Sequence, residues 1–460
     1  MEAPTFNGQE LNPEQALVFN HVMNGIDSEQ KLFLFVSGTA GTGKSFLIGA
    51  LVEKMSEFTE VCAPTALAAK AIGGSTIHSL FNFDINEKLE KLEKDVNTAP
   101  ALPHLRLLII DEISQCGAQL FDRIERRLRQ ITRIDEPFGD CHVVLFGDLL
   151  QIPPVKQAPV FECEFFKSTK QKKEQVFTAL HWSRVSYMEL GINQRQSGDF
   201  EFAQMLQRWR FGRFDEADIQ FLKDKILKAD GKCLQSSRDA DLSMLVDKFL
   251  SGYTENSMIL SPINASSSRF NNRAYKAQFG DACVTVLKEV FTRLGDTSVK
   301  TLQPQFIVAI GGRVMITQNL PNFGLLNGEF AKVEDIFHTP EHNVIHIDIV
   351  SEQTGRKCRI MRLPKKIDNG TQHNEFPLLP AYAATYHKAQ GQTLEQVFLE
   401  VTPNMSPGLF FVGASRVQHR DGLFLISKNF QNVEQFILNL SRIIRADPKA
   451  VKEIARLNSL

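Results

Sequence analysis

Along the first two hundred residues the hydrophobic positions fall in short, largely apolar runs that stop abruptly at small or polar residues. LFLFV from Leu32, TEVCA from Thr59, LRLLII from Leu105 and CHVVLF from Cys141 are of this kind. Such runs, bounded by turn formers, mark strands buried on both faces, and helix-period stretches such as SFLIGALVEKM lie between them. The alternation predicts a parallel sheet covered by helices, an α/β architecture. In the second half SMILSPINASSSRFNNRAY from Ser257, EQVFLEV from Glu395 and GLFLIS from Gly422 predict a second parallel sheet. From about Thr297 to Pro380 the period changes to two. RVMIT, EFAKVEDI, NVIHIDIV and CRIMRL are separated by turns such as PNFGLLNGE, which predicts a small antiparallel barrel inserted in the second domain.

Composition narrows the class without naming a function. A chain of 460 residues, 43% hydrophobic and 23% charged, can bury two or more cores and carries no disordered bias. Seven cysteines without a CxxC pair indicate neither a disulfide framework nor a zinc site, and fit a reducing compartment. The start MEAPTFNGQE lacks the basic and apolar regions of a signal peptide, and no apolar run spans a bilayer, so an intracellular location without signal, transit or transmembrane segment is expected. A formal net charge of −1 requires that any contact with nucleic acid come from a local basic groove.

Chemistry enters at the end of the first apolar run. Gly38, Thr39, Ala40, Gly41, Thr42, Gly43, Lys44 and Ser45 follow a strand and open a helix, with Phe46 next. Backbone N–H groups and the helix N-terminus can cradle phosphate, Lys44 can reach the β and γ phosphates, and Ser45 can ligate magnesium. A second run ends in Asp111 and Glu112, at the strand end where an open parallel sheet binds ligands. Asp111 suits the magnesium shell, and Glu112 suits orienting and deprotonating a water. A third ends in Gly147, Asp148 and Gln151, whose amide can sense the γ-phosphate. Pro64, Thr65, Thr76 and His78 lie in loops suited to phosphodiester contacts, although hydroxyl residues at such places also cap helices. Arg195, after a strand-like segment, and Arg416, placed late in a helix, supply the positive charge that phosphoryl transfer needs from the far side of a cleft.

LNPEQ, GTAGTGKS, APTALAAKAIGGSTIHSLF, IIDEIS, LFGDLLQIPPV, NQRQ, AATYHKAQGQTLEQV and GASRV resemble, in order and spacing, the motifs of superfamily 1 DNA helicases. The stretch from Asp111 to Val155, with its helix between the Asp-Glu and Gly-Asp motifs, is most similar to the petite-integration-frequency (Pif-type) branch, superfamily 1B. The resemblance covers residues from about 11 to 428.

It implies two RecA-like P-loop domains with an inserted SH3-like barrel and a short wedge. Their expected spans are 1–183 for the first RecA-like domain with the wedge at about 82–103, 184–296 and 381–460 for the second, and 297–380 for the barrel. It implies an ATP-dependent, magnesium-requiring helicase moving 5′-to-3′ on single-stranded DNA, of the kind found in DNA replication, repair and recombination. By position, Gln15 would read adenine, Gln151 would couple the γ-phosphate to the DNA groove, and Arg195 and Arg416 would be arginine fingers. Gly391 would approach the phosphates from the second domain. Pro64, Thr65, Thr76, His78, Thr385, His387 and Lys388 would line the path of single-stranded DNA. Tailed or forked duplexes and quadruplex DNA are the further partners implied; no membrane partner and a monomer in the absence of DNA are expected.

Three features depart from the family pattern. Tyr386 precedes His387 where an aliphatic residue is usual, FVGASR replaces YVALSR, and a basic insert carries Lys167, Lys170, Lys172 and Lys173. None removes a charge or donor from the site. No residue discriminates DNA from RNA, since that requires a group sensing the 2′-hydroxyl.

Overall fold

A computed structural model describes residues 4–28, 31–83, 102, 104–154, 157–162, 164–167, 174–177, 181–294, 297–341, 343–366 and 372–459. The chain divides into two compact units, one of residues 1–214, 406–415 and 444–460, the other of residues 215–405 and 416–443.

The first unit is built on a six-stranded sheet in the order Ser186–Leu190, Phe33–Gly38, His142–Gly147, Leu107–Ile110, Thr59–Ala63, Ser75–Thr76, with every neighbouring pair parallel. Because side chains alternate across a strand, each apolar run feeds two cores. Leu34, Val36, Leu107, Ile109, Val144 and Phe146 join a cluster with helices Pro13–Ile26 and Lys44–Met55. Phe35, Leu108, Ile110, Val143 and Leu145 join another with helix Ala118–Thr132 and the C-terminal helix Pro448–Leu457.

Strand Ser186–Leu190 corrects the expected boundary at 183/184. It pairs along its length with Phe33–Gly38, so residues up to 214 belong to the first unit. Periodicity could not reveal this, because a strand's pattern does not say which sheet it joins.

The second unit holds a four-stranded parallel sheet in the order Ala383–Thr385, Ser257–Ser261, Gln396–Val401, Leu423–Ser427. Helix Asn264–Phe279 packs on it through Phe270, Ala274 and Tyr275. The period-two segment forms two antiparallel sheets. One orders Thr297–Val308, Val284–Leu294, Gln372–Glu375, Leu363–Lys366; the other orders Lys357–Ile360, Val344–Ser351, Phe330–His338, Arg313–Ile316, Leu378–Pro380. The antiparallel region therefore starts at Val284 rather than 297, because Val284–Leu294 pairs with Thr297–Val308 across a hairpin. Apart from Asn82, Phe83 and residue 102, the expected wedge lies outside the described residues, as do residues 168–173 of the basic insert.

Candidate functional site

The phosphate loop lies between a strand ending at Gly38 and a helix starting at Lys44. Its carbonyls are held by side chains from three places. Lys44 Nζ donates to Gly38 O at 2.8 Å and Thr39 O at 3.0 Å. Thr42 Oγ1 donates to Thr39 O at 2.9 Å. Gln15 Nε2 donates to Thr42 O and Gly43 O, each at 3.3 Å. Gln15 is buried and its Oε1 accepts from Asn12 N, closing a capping box on helix Pro13–Ile26. In this structure its amide thus anchors the loop. Ser45 is exposed and Phe46 half-buried on the first turn of the helix.

Arg195 sits on this loop. Gly41 has φ +91°, and a Cβ there would lie 2.4 Å from Arg195 Cβ, so only glycine fits the contact. Gln194 N donates to Gly41 O at 2.7 Å and Asn193 Nδ2 to Ala40 O at 3.5 Å. Arg195 Nη1 donates to Ser415 O at 3.0 Å. Burial lowers the Arg195 pKa from the usual guanidinium range, and the Glu112 charge acts against that shift. Arg195 was expected in the second domain; pairing of Ser186–Leu190 with Phe33–Gly38 puts it in the first unit, beside the phosphate loop.

Asp111 and Glu112 leave the carboxyl end of Leu107–Ile110. Glu112 takes φ +52°, left-handed for a non-glycine residue, and its N–H donates to Asp111 Oδ1 at 2.8 Å. Asp111 is buried, and burial with the Glu112 charge pushes its pKa up to about 7, opposed by Lys44. Glu112 Oε2 is buried without a hydrogen-bond partner, as is Thr39 Oγ1. Lys44, Asp111, Glu112 and Arg195 thus form a chain of electrostatic neighbours at the carboxyl end of one sheet. Three or more metal-ligating His, Cys, Asp or Glu residues do not cluster anywhere among the described residues.

Gln151 is buried past the end of His142–Gly147, with Nε2 3.5 Å from Asp148 Oδ2. Asp148 has a partner that the sequence does not announce. Arg210, almost fully buried, donates from Nε and Nη2 to its carboxylate at 3.0 to 3.2 Å, and also reaches Glu189 and Ser37 Oγ. No local signal marks Arg210, which lies 62 residues away on helix Phe200–Arg210.

Thr65 and Thr76 are both helix N-caps, accepting from Ala68 N and Ser79 N. Both hydroxyls thus already serve their own helices. Pro64 is half-buried beside Thr65, and His78 packs its ring 6.4 Å from Phe83, which Arg123 covers at 4.3 Å. Burial, then Arg123, lowers the His78 pKa.

In the second unit Thr385 ends its strand and starts the turn Tyr386–Ala389. His387 is exposed and Lys388 half-buried. Burial lowers both pKa values, with Lys365 adding to the shift at Lys388. Tyr386 is buried, its hydroxyl donating to Glu400 O at 3.1 Å, so the departure from the family pattern is absorbed in the core. Gly391 is exposed with φ +84°. Arg416 is fully buried, and its Nη1 donates to Gln392 O at 3.4 Å. The helix expected to contain Arg416 ends at Ala414, with Ser415 as its cap, so Arg416 lies just beyond it.

A family model of PIF1-like helicases matches residues 10–220. The chain is 29% identical to the ATP-dependent DNA helicase PIF1 of Danio rerio, over 90% of this chain and 61% of that protein. It is 27% identical to the ATP-dependent DNA helicase Pif1 of Bdellovibrio bacteriovorus, over 92% of this chain and 89% of that one. Among solved structures, one of two coordinating Pif1 helicases, described as the basis for DNA unwinding at forked duplex DNA, superposes with a TM-score of 0.69 at 25% identity, covering 98% of this chain and 97% of that one. The Pif1 helicase of Candida albicans shares the fold with a TM-score of 0.67 at 23% identity, covering 98% of this chain and 99% of that one.

Proposed function

We propose that this chain, which matches PIF1-like helicases over residues 10–220 and resembles Pif1 helicases over most of its length, is an ATP-dependent DNA helicase, driven 5′-to-3′ along single-stranded DNA by ATP hydrolysis. The observation that carries the reading is the convergence of Lys44, Asp111, Glu112 and Arg195 around one glycine-rich phosphate loop.

In this reading the loop N–H groups and Lys44 bind the triphosphate. Glu112, its Oε2 unspent, orients the attacking water and takes its proton as the water oxygen bonds to the γ-phosphorus and the bond from that phosphorus to the β–γ bridging oxygen breaks, with ADP as the leaving group. Arg195, fixed by Gly41 and Ser415 O, offers positive charge to the phosphoryl group in transfer. Gln151 reports on the same group through the Asp148–Arg210 pair, and Gln15 sets the loop that meets the base. Arg416 and Gly391 would join when nucleotide draws the second unit closed. Magnesium fits the oxygen donors present: the exposed Ser45 hydroxyl and the Asp111 carboxylate, whose crowding by Glu112 a cation relieves. Bound there, the ion would neutralise phosphate charge.

Thr65, Thr76, His78, Thr385, His387 and Lys388 are proposed, with Pro64, to grip the DNA backbone, which makes binding sequence-tolerant and salt-sensitive. Single-stranded and forked DNA are the proposed substrates, with quadruplex DNA a further one. A monomer in the absence of DNA and an intracellular location complete the proposal; no helix among the described residues is long and apolar enough to cross a membrane.

The test is ATP turnover with single-stranded DNA, with RNA and with neither, then unwinding of duplexes bearing 5′ or 3′ tails. DNA should stimulate turnover, and only 5′-tailed duplexes should open. Glu112→Gln should retain ATP and DNA binding while lowering turnover about 100-fold or more, the scale of a lost general base. Turnover indifferent to DNA overturns the helicase reading, and normal turnover in Glu112→Gln overturns the assigned base.

A further inference from the structure

The second unit contains a cavity of about 390 Å³ that the phosphate-gripping residues alone do not explain. Its lining includes the apolar side chains of Pro304, Phe306, Met315 and Leu379 of the antiparallel strands. One wall is the first half of helix Asn264–Phe279, and the mouth is bordered by Thr385 and Lys388.

The cavity is held open by side chains whose hydrogen bonds are already used. Asn271 Nδ2 donates to Pro380 O at 2.9 Å and Ala383 O at 2.8 Å, while its Oδ1 accepts from Tyr382 N at 2.9 Å and Ala383 N at 2.8 Å. All four amide positions are satisfied, locking the helix to the strand that ends at Thr385. Gln305 clamps Phe376 through both N–H and C=O, at 3.1 and 2.8 Å. By contrast Ser268, Asn272 and Thr285 bring hydroxyl and amide donors and acceptors to the cavity lining. Lys388 brings a cation to the mouth whose electrostatic neighbour is another cation, Lys365. A lining that combines apolar side chains, neutral polar groups and the Lys388 cation matches a heterocyclic base carried on a phosphodiester.

We infer that the cavity between helix Asn264–Phe279 and the antiparallel strands receives one unstacked base of single-stranded DNA, with Thr385 and Lys388 holding the adjoining phosphate. The inference rests on the proposed function and deepens it, because it places a base contact in a grip otherwise made to the backbone. The base lies against the apolar side chains and meets Ser268, Asn272 and Thr285 at its edge. Those hydroxyl and amide groups can donate or accept, so any base is accommodated. The volume of about 390 Å³ is ample for one base.

The test uses the full chain without ATP and a DNA hairpin with a 5′ tail of ten thymidines, so that the junction sets the register. An abasic nucleotide is walked along the tail, and affinity is measured at each position. For the natural chain one position should weaken binding about tenfold while its neighbours change it less than twofold, in the range of a lost base contact. The double variant Ser268→Leu with Asn272→Leu fills the mouth from exposed helix positions, and its fold is checked by thermal unfolding. It should bind the intact tail about tenfold more weakly and give a flat walk. A flat walk in the natural chain, or the same single-position loss in the double variant, overturns the inference while leaving the helicase reading in place. Failure to bind the intact tail overturns both.

Discussion

At the scale of single residues, the first unit depends on a pair that neither motif nor spacing announces. Asp148 and Arg210 are both buried, joined at 3.0 to 3.2 Å, and Arg210 extends the network to Ser37 on the strand feeding the phosphate loop. Desolvating two charges is costly, so the pair adds little net stability against an apolar replacement, but removing one partner strands the other. Arg210→Met should destabilise the first unit by about 3–5 kcal/mol in denaturant unfolding. Arg210→Met combined with Asp148→Leu should recover part of that loss. If the single change costs under about 1 kcal/mol, the pair is not the constraint its geometry implies. The same variant should lower turnover, because Asp148 also accepts from Leu150 N at 3.1 Å and lies 3.5 Å from Gln151 Nε2.

Among elements, the phosphate loop is shaped as much by what packs on it as by its own glycines. Gly41 combines φ +91° with a position where a methyl group would lie 2.4 Å from Arg195 Cβ, so Gly41→Ala meets backbone strain and a clash together. Its expected result is loss of ATP turnover by about 100-fold, larger than an alanine elsewhere in the loop would cause, because the change displaces Arg195 as well as the cradle. Measured kcat near that of the natural chain would show that the Arg195 contact is dispensable. The loop itself was legible in the sequence, since strand, glycines, lysine and helix are contiguous. So was the buried Asp111–Glu112 strand end, and so was the two-faced core, because a continuous apolar run buries both faces of its strand. The hold on Gly41 was not, as Asn193, Gln194 and Arg195 come from about 150 residues away and only sheet pairing brings them there. Thr65 and Thr76 show the opposite limit: as helix caps they read identically to ligand contacts in a sequence.

Across the whole molecule, the chain changes unit at 214/215, 405/406, 415/416 and 443/444. The spans implied by the family resemblance put one boundary at 183/184 and do not include residues 406–415 and 444–460 in the first unit, because long-range packing decides membership. Segment 406–415 enters that unit with Gly408 at φ +74° against the carbonyls of Leu150 and Gln151, and Phe410 packs edge-on to Trp209 at 5.4 Å. It ends at Ser415, whose carbonyl accepts from Arg195, and the next residue is Arg416 in the second unit. Arg195 of the first unit is therefore hydrogen-bonded to the residue preceding Arg416. If Arg416 completes catalysis only when the units close, Arg416→Ala should reduce DNA-stimulated kcat about 100-fold or more, with single-strand affinity in the absence of nucleotide changed less than twofold. Arg416→Lys should recover only part of the loss, since an ammonium keeps the charge but not the guanidinium fork. Turnover unchanged in Arg416→Ala would assign the full charge requirement to Arg195 and confine ATP hydrolysis to the first unit.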